Sequence, residues 1–172
     1  MKTLFLAVCL STALLAQAPD LKTSSGHAKA IQNQVKGVIV RSAEKMPEEN
    51  FSFKPTPEVR SYGQILGHIA DAQYLFCSAV IGEKNPAPGI EKSKTSKADL
   101  VAALNEAFAY CDKAYNGLTD AKASETVKFF GQDRSKLGVL SFNTSHNYEH
   151  YGNLVTYLRI KGVVPPSSEP RK

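Results

Sequence analysis

The 172-residue chain has no tryptophan, two methionines, three cysteines and four histidines. It contains no Cys-x-x-Cys, no glycine-rich phosphate loop and no Gly-x-Ser-x-Gly elbow. Those absences disfavour thioredoxin-like redox chemistry, nucleotide-dependent catalysis and serine-hydrolase chemistry. Apolar runs are short: the longest, residues 4–15, is too short to span a bilayer comfortably. No segment repeats another. The net charge of +5 comes from scattered residues. The densest basic cluster, Lys92, Lys94 and Lys97, is interrupted by acidic neighbours such as Asp99 and lacks interleaved aromatics, so no nucleic-acid partner is expected.

What is present begins with an export signature. Lys2, the apolar run and Ala16-Gln17-Ala18 read as a signal peptide over residues 1–18. Because Pro19 is an awkward residue after a cut, cleavage after Ala16 is an alternative. A periplasmic or secreted location follows, with no stable membrane anchor after cleavage; an uncleaved tether is the competing reading. Cys9 lies mid-run after Val8, which argues against a lipoprotein anchor. In an oxidising compartment Cys77 and Cys111 remain as an even pair, open to a disulfide or to two buried free thiols.

Residues 19–166 read as one domain and 167–172 as a disordered polar tail. Four helices are predicted. The first covers residues 25–45, with Ala30, Val35, Val38 and Ile39 available for a core, and Met46-Pro47 stops it. A proline-rich loop follows, anchored by Phe51 and Phe53. The second helix opens on Ser61-Tyr62-Gly63-Gln64, a capping-box pattern, and runs to residue 81 before Gly82, Pro86, Pro88 and Gly89. The third spans 96–115 and the fourth 135–161, ended by Gly162 and Pro165-Pro166. Residues 126–131 are a short extended piece or a loop, not counted as a strand. The fold class is therefore all-α, a four-helix bundle.

Two histidines sit four residues apart in Ser145-His146-Asn147-Tyr148-Glu149-His150. On a helix they lie roughly 40° apart, so both imidazoles can reach one ion. Val139, Phe142, Leu154, Tyr157 and Ile160 fall within roughly 80° of His146, which points the pair toward the core. His68 shares a stripe with Ile65, Ile69, Ala72, Phe76 and Ala79 and points inward too. Each histidine alone is better read as a hydrogen-bonded core residue. Three inward imidazoles on two helices favour a shared divalent metal, because burying them without one leaves several polar nitrogens in need of partners. His27, at the frayed helix start, is expected to be solvent-exposed.

Three segments resemble the DinB/YfiT-like superfamily of metal-binding four-helix bundles, and together they span nearly all of the chain after its leader. They are Met46-Pro47-Glu48-Glu49-Asn50-Phe51-Ser52-Phe53-Lys54-Pro55 with Ser61-Tyr62-Gly63-Gln64-Ile65-Leu66-Gly67-His68-Ile69, then the helix from His146 through Arg159, then Gly162-Val163-Val164-Pro165-Pro166. The resemblance implies His68, His146 and His150 as ligands of one ion, zinc, nickel or iron with zinc favoured, and helices joined by a long crossover. Many relatives are cytoplasmic, some linked to transferases that use thiol cofactors; an exported chain departs from that pattern.

Three imidazoles leave coordination positions open for water or substrate. Asp71 and Glu149 are the acidic residues nearest the ligands in sequence and are expected to be exposed or to support a ligand rather than act as a base. Asn143, Asn153 and Tyr157 are expected at the mouth of the bundle. Two functions follow: an exported metal-dependent hydrolase or transferase acting on an unknown small molecule, or a non-catalytic bundle, stabilised by metal or binding a ligand, as a monomer or homodimer. An open cavity above the ion would favour the first.

Overall fold

The computed structural model describes residues 18–170. The leader call for 1–18, Cys9 included, therefore lies almost wholly outside the described residues. Long helices α1 (Ser24–Lys45), α2 (Tyr62–Ile81), α4 (Lys97–Gly117) and α5 (Lys136–Ile160) build the bundle, with a one-turn helix α3 (Ile90–Ser93) between α2 and α4. A hairpin of β1 (Thr126–Phe129) and β2 (Gln132–Ser135) precedes α5.

The helix starts follow from their caps. Ser61 accepts from the backbone of Gln64 while the Gln64 side chain accepts from Ser61, the reciprocal box expected for α2. Ser96 and Ser135 cap α4 and α5 from one side only, their side chains accepting from the backbone N–H of Asp99 and Gly138. Gly82 ends α2 with a left-handed φ of 85°, a conformation glycine adopts without a Cβ penalty.

Helices α2 and α4 pack side by side, and so do α1 with α5, α2 with α5 and α1 with α4. Consecutive helices α1 and α2 thus sit across the bundle diagonal, as do α4 and α5, so the chain crosses over twice. The loop carrying the first crossover is pinned by Phe51, which is buried and packs edge-on to Tyr62 at 5.5 Å.

The core falls into two apolar clusters. One gathers Ile39, Tyr62, Leu66, Leu104, Phe108 and Leu154; the other gathers Phe76, Val80, Tyr115, Phe129, Val139 and Leu140. Cys77 and Cys111 lie in the second and are joined as a disulfide linking α2 to α4, with Cα atoms 5.2 Å apart. Along α2 the change of cluster falls at Gln73, and along α5 at Asn143 and Asn147. These three amides and Gln32 of α1 are at most 1% exposed. They satisfy one another: Gln73 Nε2 donates to Asn147 Oδ1 at 2.8 Å, Asn143 Nδ2 to Gln73 Oε1 at 3.1 Å, and Asn147 Nδ2 to Gln32 Oε1 at 3.2 Å. Asn143 Nδ2 also reaches Tyr115 Oη of α4 at 3.2 Å, so all four long helices share the network.

Three expectations change. Residues 126–135 form a hairpin because Val127 and Phe129 alternate with exposed Thr126 and Lys128, Phe129 is buried, and Phe130-Gly131 makes a two-residue turn. The alternation is only four residues long, too short to stand out in sequence. On α5, Phe142 and Ile160 are 45% and 54% exposed instead of core. The true buried stripe runs through Asn143, Asn147, His150 and Leu154, and because its centre is polar, weighting by hydrophobicity swings the apparent face toward Phe142. Finally, in the tail expected to be disordered from residue 167, Pro166–Ser168 form a 3-10 turn, and Glu169 pairs with Lys45 of α1 at 2.5 Å.

Replacing Gln73 with leucine, close in size but unable to hydrogen-bond, strands donors or acceptors on Gln32, Asn143 and Asn147. With about 1–3 kcal/mol for each unsatisfied buried group, the expected loss is about 3 kcal/mol, read as a fall in the urea midpoint at unchanged m-value.

Candidate metal centre

Three histidines from two helices meet at one point. His68 Nε2 lies 3.1 Å from His146 Nε2, and His150 Nε2 lies 3.1 Å from the same atom. All three nitrogens fall within 4.8 Å of one another. His146 and His150 come from consecutive turns of α5, and His68 from the facing side of α2. His150 is buried, and His68 and His146 are half-buried. His27 is exposed near the start of α1 and takes no part.

Hydrogen bonding among the rings cannot account for this arrangement. An imidazole Nε2 has either one proton to give or one lone pair to offer, so His146 Nε2 can pair with His68 or with His150 but not both. Its Nδ1 is the one buried side-chain nitrogen or oxygen without a hydrogen-bond partner among the described residues. An ion about 2.0–2.1 Å from each imidazole would hold the nitrogens roughly 3.0–3.4 Å apart, and the two separations from His146 Nε2, 3.1 Å each, fit. The cluster could therefore hold a metal.

Burial also sets the protonation state. Desolvation pushes His146 from 6.5 down to about 4, with the neighbouring charges of His68 and Arg60 adding to it. The same cause, followed by His146, His68 and Arg60, pushes His150 down to about 3. Both rings are neutral at pH 7 and offer lone pairs without competition from protons.

The support around His68 was invisible in the sequence. Its Nδ1 lies 3.2 Å from Glu91 Oε2, and Arg60 Nε donates to Glu91 Oε1 at 2.8 Å. A carboxylate at Nδ1 fixes the tautomer that turns the Nε2 lone pair toward the cluster. Glu91 sits on α3, which docks directly on α2. Asp71 accepts from the backbone N–H of Ile90 at 2.9 Å and of Glu91 at 3.0 Å. Opposite, a Cβ on Gly67 would come within 2.6 Å of Glu91 Cα, so only glycine permits the approach. A single-turn helix has no periodicity to detect; the one signal was a glycine on the buried face of α2, one residue before His68.

The other polar candidates separate. Both Asp71 oxygens are committed to α3, and Glu149 is exposed. The Asn153 amide lies 3.4 Å from His150 Nδ1, against the imidazole. Asn143 belongs to the buried amide network instead, and Tyr157 Oη donates to the Arg60 carbonyl at 2.7 Å, steadying the residue that holds Glu91.

A cavity of about 410 Å³ opens beside His68 and His146. Its walls are Ala72, Leu75 and Phe76 of α2, Phe142 of α5, Phe130 at the hairpin tip and the loop around Ala87.

Comparison with known proteins agrees with this architecture. An uncharacterized protein, YjoA, of Bacillus subtilis (strain 168) is 28% identical over 126 residues, covering 70% of this chain and 79% of its own. A DinB-like protein from Bacillus cereus ATCC 10987 superposes with a TM-score of 0.73 at 17% identity, covering 86% of this chain and 98% of that one. The structure of YjoA itself gives 0.68 at 22% identity, covering 85% and 99%. A mycothiol-dependent maleylpyruvate isomerase gives 0.61 at 14% identity, covering 78% and 65%. At these identities the structures speak to the fold alone. The sequence profile of the DinB superfamily matches residues 34–154, from the middle of α1 to beyond the histidine pair, and the chain belongs to that superfamily.

Proposed function

We propose that this chain is an exported protein that binds one divalent metal ion through His68, His146 and His150 and uses it in hydrolysis of, or group transfer to, a small molecule. The observation that carries the reading is the convergence of three Nε2 atoms around a point no hydrogen-bond scheme satisfies. Zinc is the favoured ion, since neutral imidazoles suit it, with nickel and iron the alternatives. When bound, the ion supplies Lewis acidity and lowers the pKa of a water or thiol. The chain's own residues hold the donors: Glu91 sets the His68 tautomer, Arg60 holds Glu91, and burial keeps His146 and His150 neutral. Export is supported by the Cys77–Cys111 disulfide, which suits an oxidising compartment.

The second reading, a bundle that the ion only stabilises, or a ligand-binding bundle, as a monomer or homodimer, predicts a plugged site. The cavity beside His68 and His146 favours the first.

Elemental analysis of the purified protein is expected to give about one zinc, nickel or iron per chain, and none in the His146→Ala/His150→Ala variant at unchanged helical signal. Absence of metal from the native protein would sink this reading. Glu91→Gln is expected to weaken metal affinity about 10–100-fold by loosening the His68 tautomer, measured by competition with a chromophoric chelator.

The metal-free protein should also show the cost of its neutral histidines. Both folded pKa values lie below the unfolded value of 6.5. As pH falls below 6.5 the unfolded chain takes up protons that the folded chain refuses. Stability present above pH 6.5 is therefore lost progressively as pH falls through about 4 and then about 3. Melting temperature in chelator, followed from pH 7.5 to 3.5, should fall across this window, and fall less in His146→Gln/His150→Gln. Equal slopes in the two proteins would contradict the assignment.

A further inference from the structure

We propose that the cavity beside the histidine cluster is a binding subsite for the apolar, uncharged ring of a small molecule, clamped by Phe130 at the hairpin tip; the inference rests on the proposed function for what the rest of that molecule does. Two backbone positions point to this cavity. Among the described residues, the only non-glycine residues with positive φ are Ala87 at 45° and Phe130 at 49°, and both line it. Such conformations persist where the surroundings impose them, and they concentrate at ligand clamps.

Phe130 is the more telling of the two. Phe129 and Gln132 pair across the hairpin, so Phe130 and Gly131 are its two-residue turn, both with positive φ. That turn favours asparagine, aspartate or glycine at its first position, for which phenylalanine is a poor choice. Burial does not compensate, because Phe130 is 67% exposed. Phe142, also in its wall, is another large apolar side chain left 45% exposed. A ring seated in the cavity would cover apolar surface on both.

The lining also defines what fits. Among the described residues, no lysine or arginine lines the cavity. Asp71 has both oxygens committed to α3, and the Asn85 Oδ1 accepts from the Ala87 backbone at 2.9 Å. Besides the Asn85 N–H groups on the loop, the polar side chains left in the lining are His68 and His146, on the side where the ion would sit. A phosphorylated, polyanionic or polyhydroxylated molecule would leave its polar groups unpaired here, whereas a ring bearing one metal-seeking atom would not. The volume lies within the roughly 300–1,000 Å³ typical of small-molecule sites.

Phenol, glucose and inorganic phosphate serve as probes of the full chain, followed by amide chemical shifts with and without zinc. Phenol is expected to move the signals of residues 85–89 and 130, while glucose and phosphate do not. Phe130→Asn supplies the decisive variant: it should raise the melting temperature, because asparagine suits the turn, yet weaken phenol binding at least tenfold. Phe142→Ser should weaken phenol binding as well. Phenol affinity unchanged in both variants, or polar probes binding as tightly as phenol, would overturn the subsite. Zinc content is read separately: zinc bound without phenol binding removes the subsite and leaves the metal reading, while phenol binding at residues 85–89 and 130 without zinc does the reverse.

Discussion

Four buried amides that must satisfy one another are the constraint on which the rest of this bundle depends. Gln32, Gln73, Asn143 and Asn147 sit where the two apolar clusters meet, on three helices, with Tyr115 bringing in the fourth. Apolar packing tolerates small rotations of a helix about its axis, whereas a network of hydrogen bonds at 2.8–3.3 Å does not. Rotating α5 by even part of a turn would withdraw Asn143 and Asn147 from Gln73 and leave all three unsatisfied. The same rotation would carry His146 and His150 away from His68. The amides thus hold the angular register that the histidines need, one turn further along the helix.

Around that register the site is built from unequal supports. His68 is held through a chain reaching from Tyr157 to the Arg60 carbonyl, from the Arg60 guanidinium to Glu91, and from Glu91 to Nδ1. His150 is buried and meets Asn153 at its Nδ1, and among the described residues His146 has no hydrogen-bond partner at Nδ1. Helix α3 is the keystone of the first support. It is too short to be stable by itself and exists because Asp71 caps it and Gly67 lets it dock. Asp71 also lines the proposed ring subsite, with each of its oxygens already accepting a backbone N–H of α3.

Much of this was legible in the chain. Helix boundaries followed from Ser61, Ser96, Ser135, Met46-Pro47 and Gly82, because caps and breakers act through neighbours a few residues away. His68, His146 and His150 were readable because i, i+4 spacing maps directly onto one helix face. The resemblance to DinB-like bundles rested on those same segments. The face of α5 was misplaced at Phe142 and Ile160, since a stripe centred on asparagine and histidine leaves little contrast in hydrophobicity. Glu91 could not be found, because nothing within the stretch between α2 and α4 marks a carboxylate as lying over another helix, and Arg60, just ahead of α2, has its role only through Glu91.

What the sequence by itself determined is therefore local: four long helices, their ends, and three histidines turned inward. Capping, periodicity and glycine or proline interruption all operate over a few residues, and the chain specifies them without reference to its fold. Tertiary structure decided the pairing of α1 with α5 instead of α2, the bonding of Cys77 to Cys111, the meeting of the amides, and the positions of Glu91 and Phe130 around the cluster. Each of these joins residues far apart in the chain, and their geometry exists only once the helices have packed and the buried polar groups have found one another.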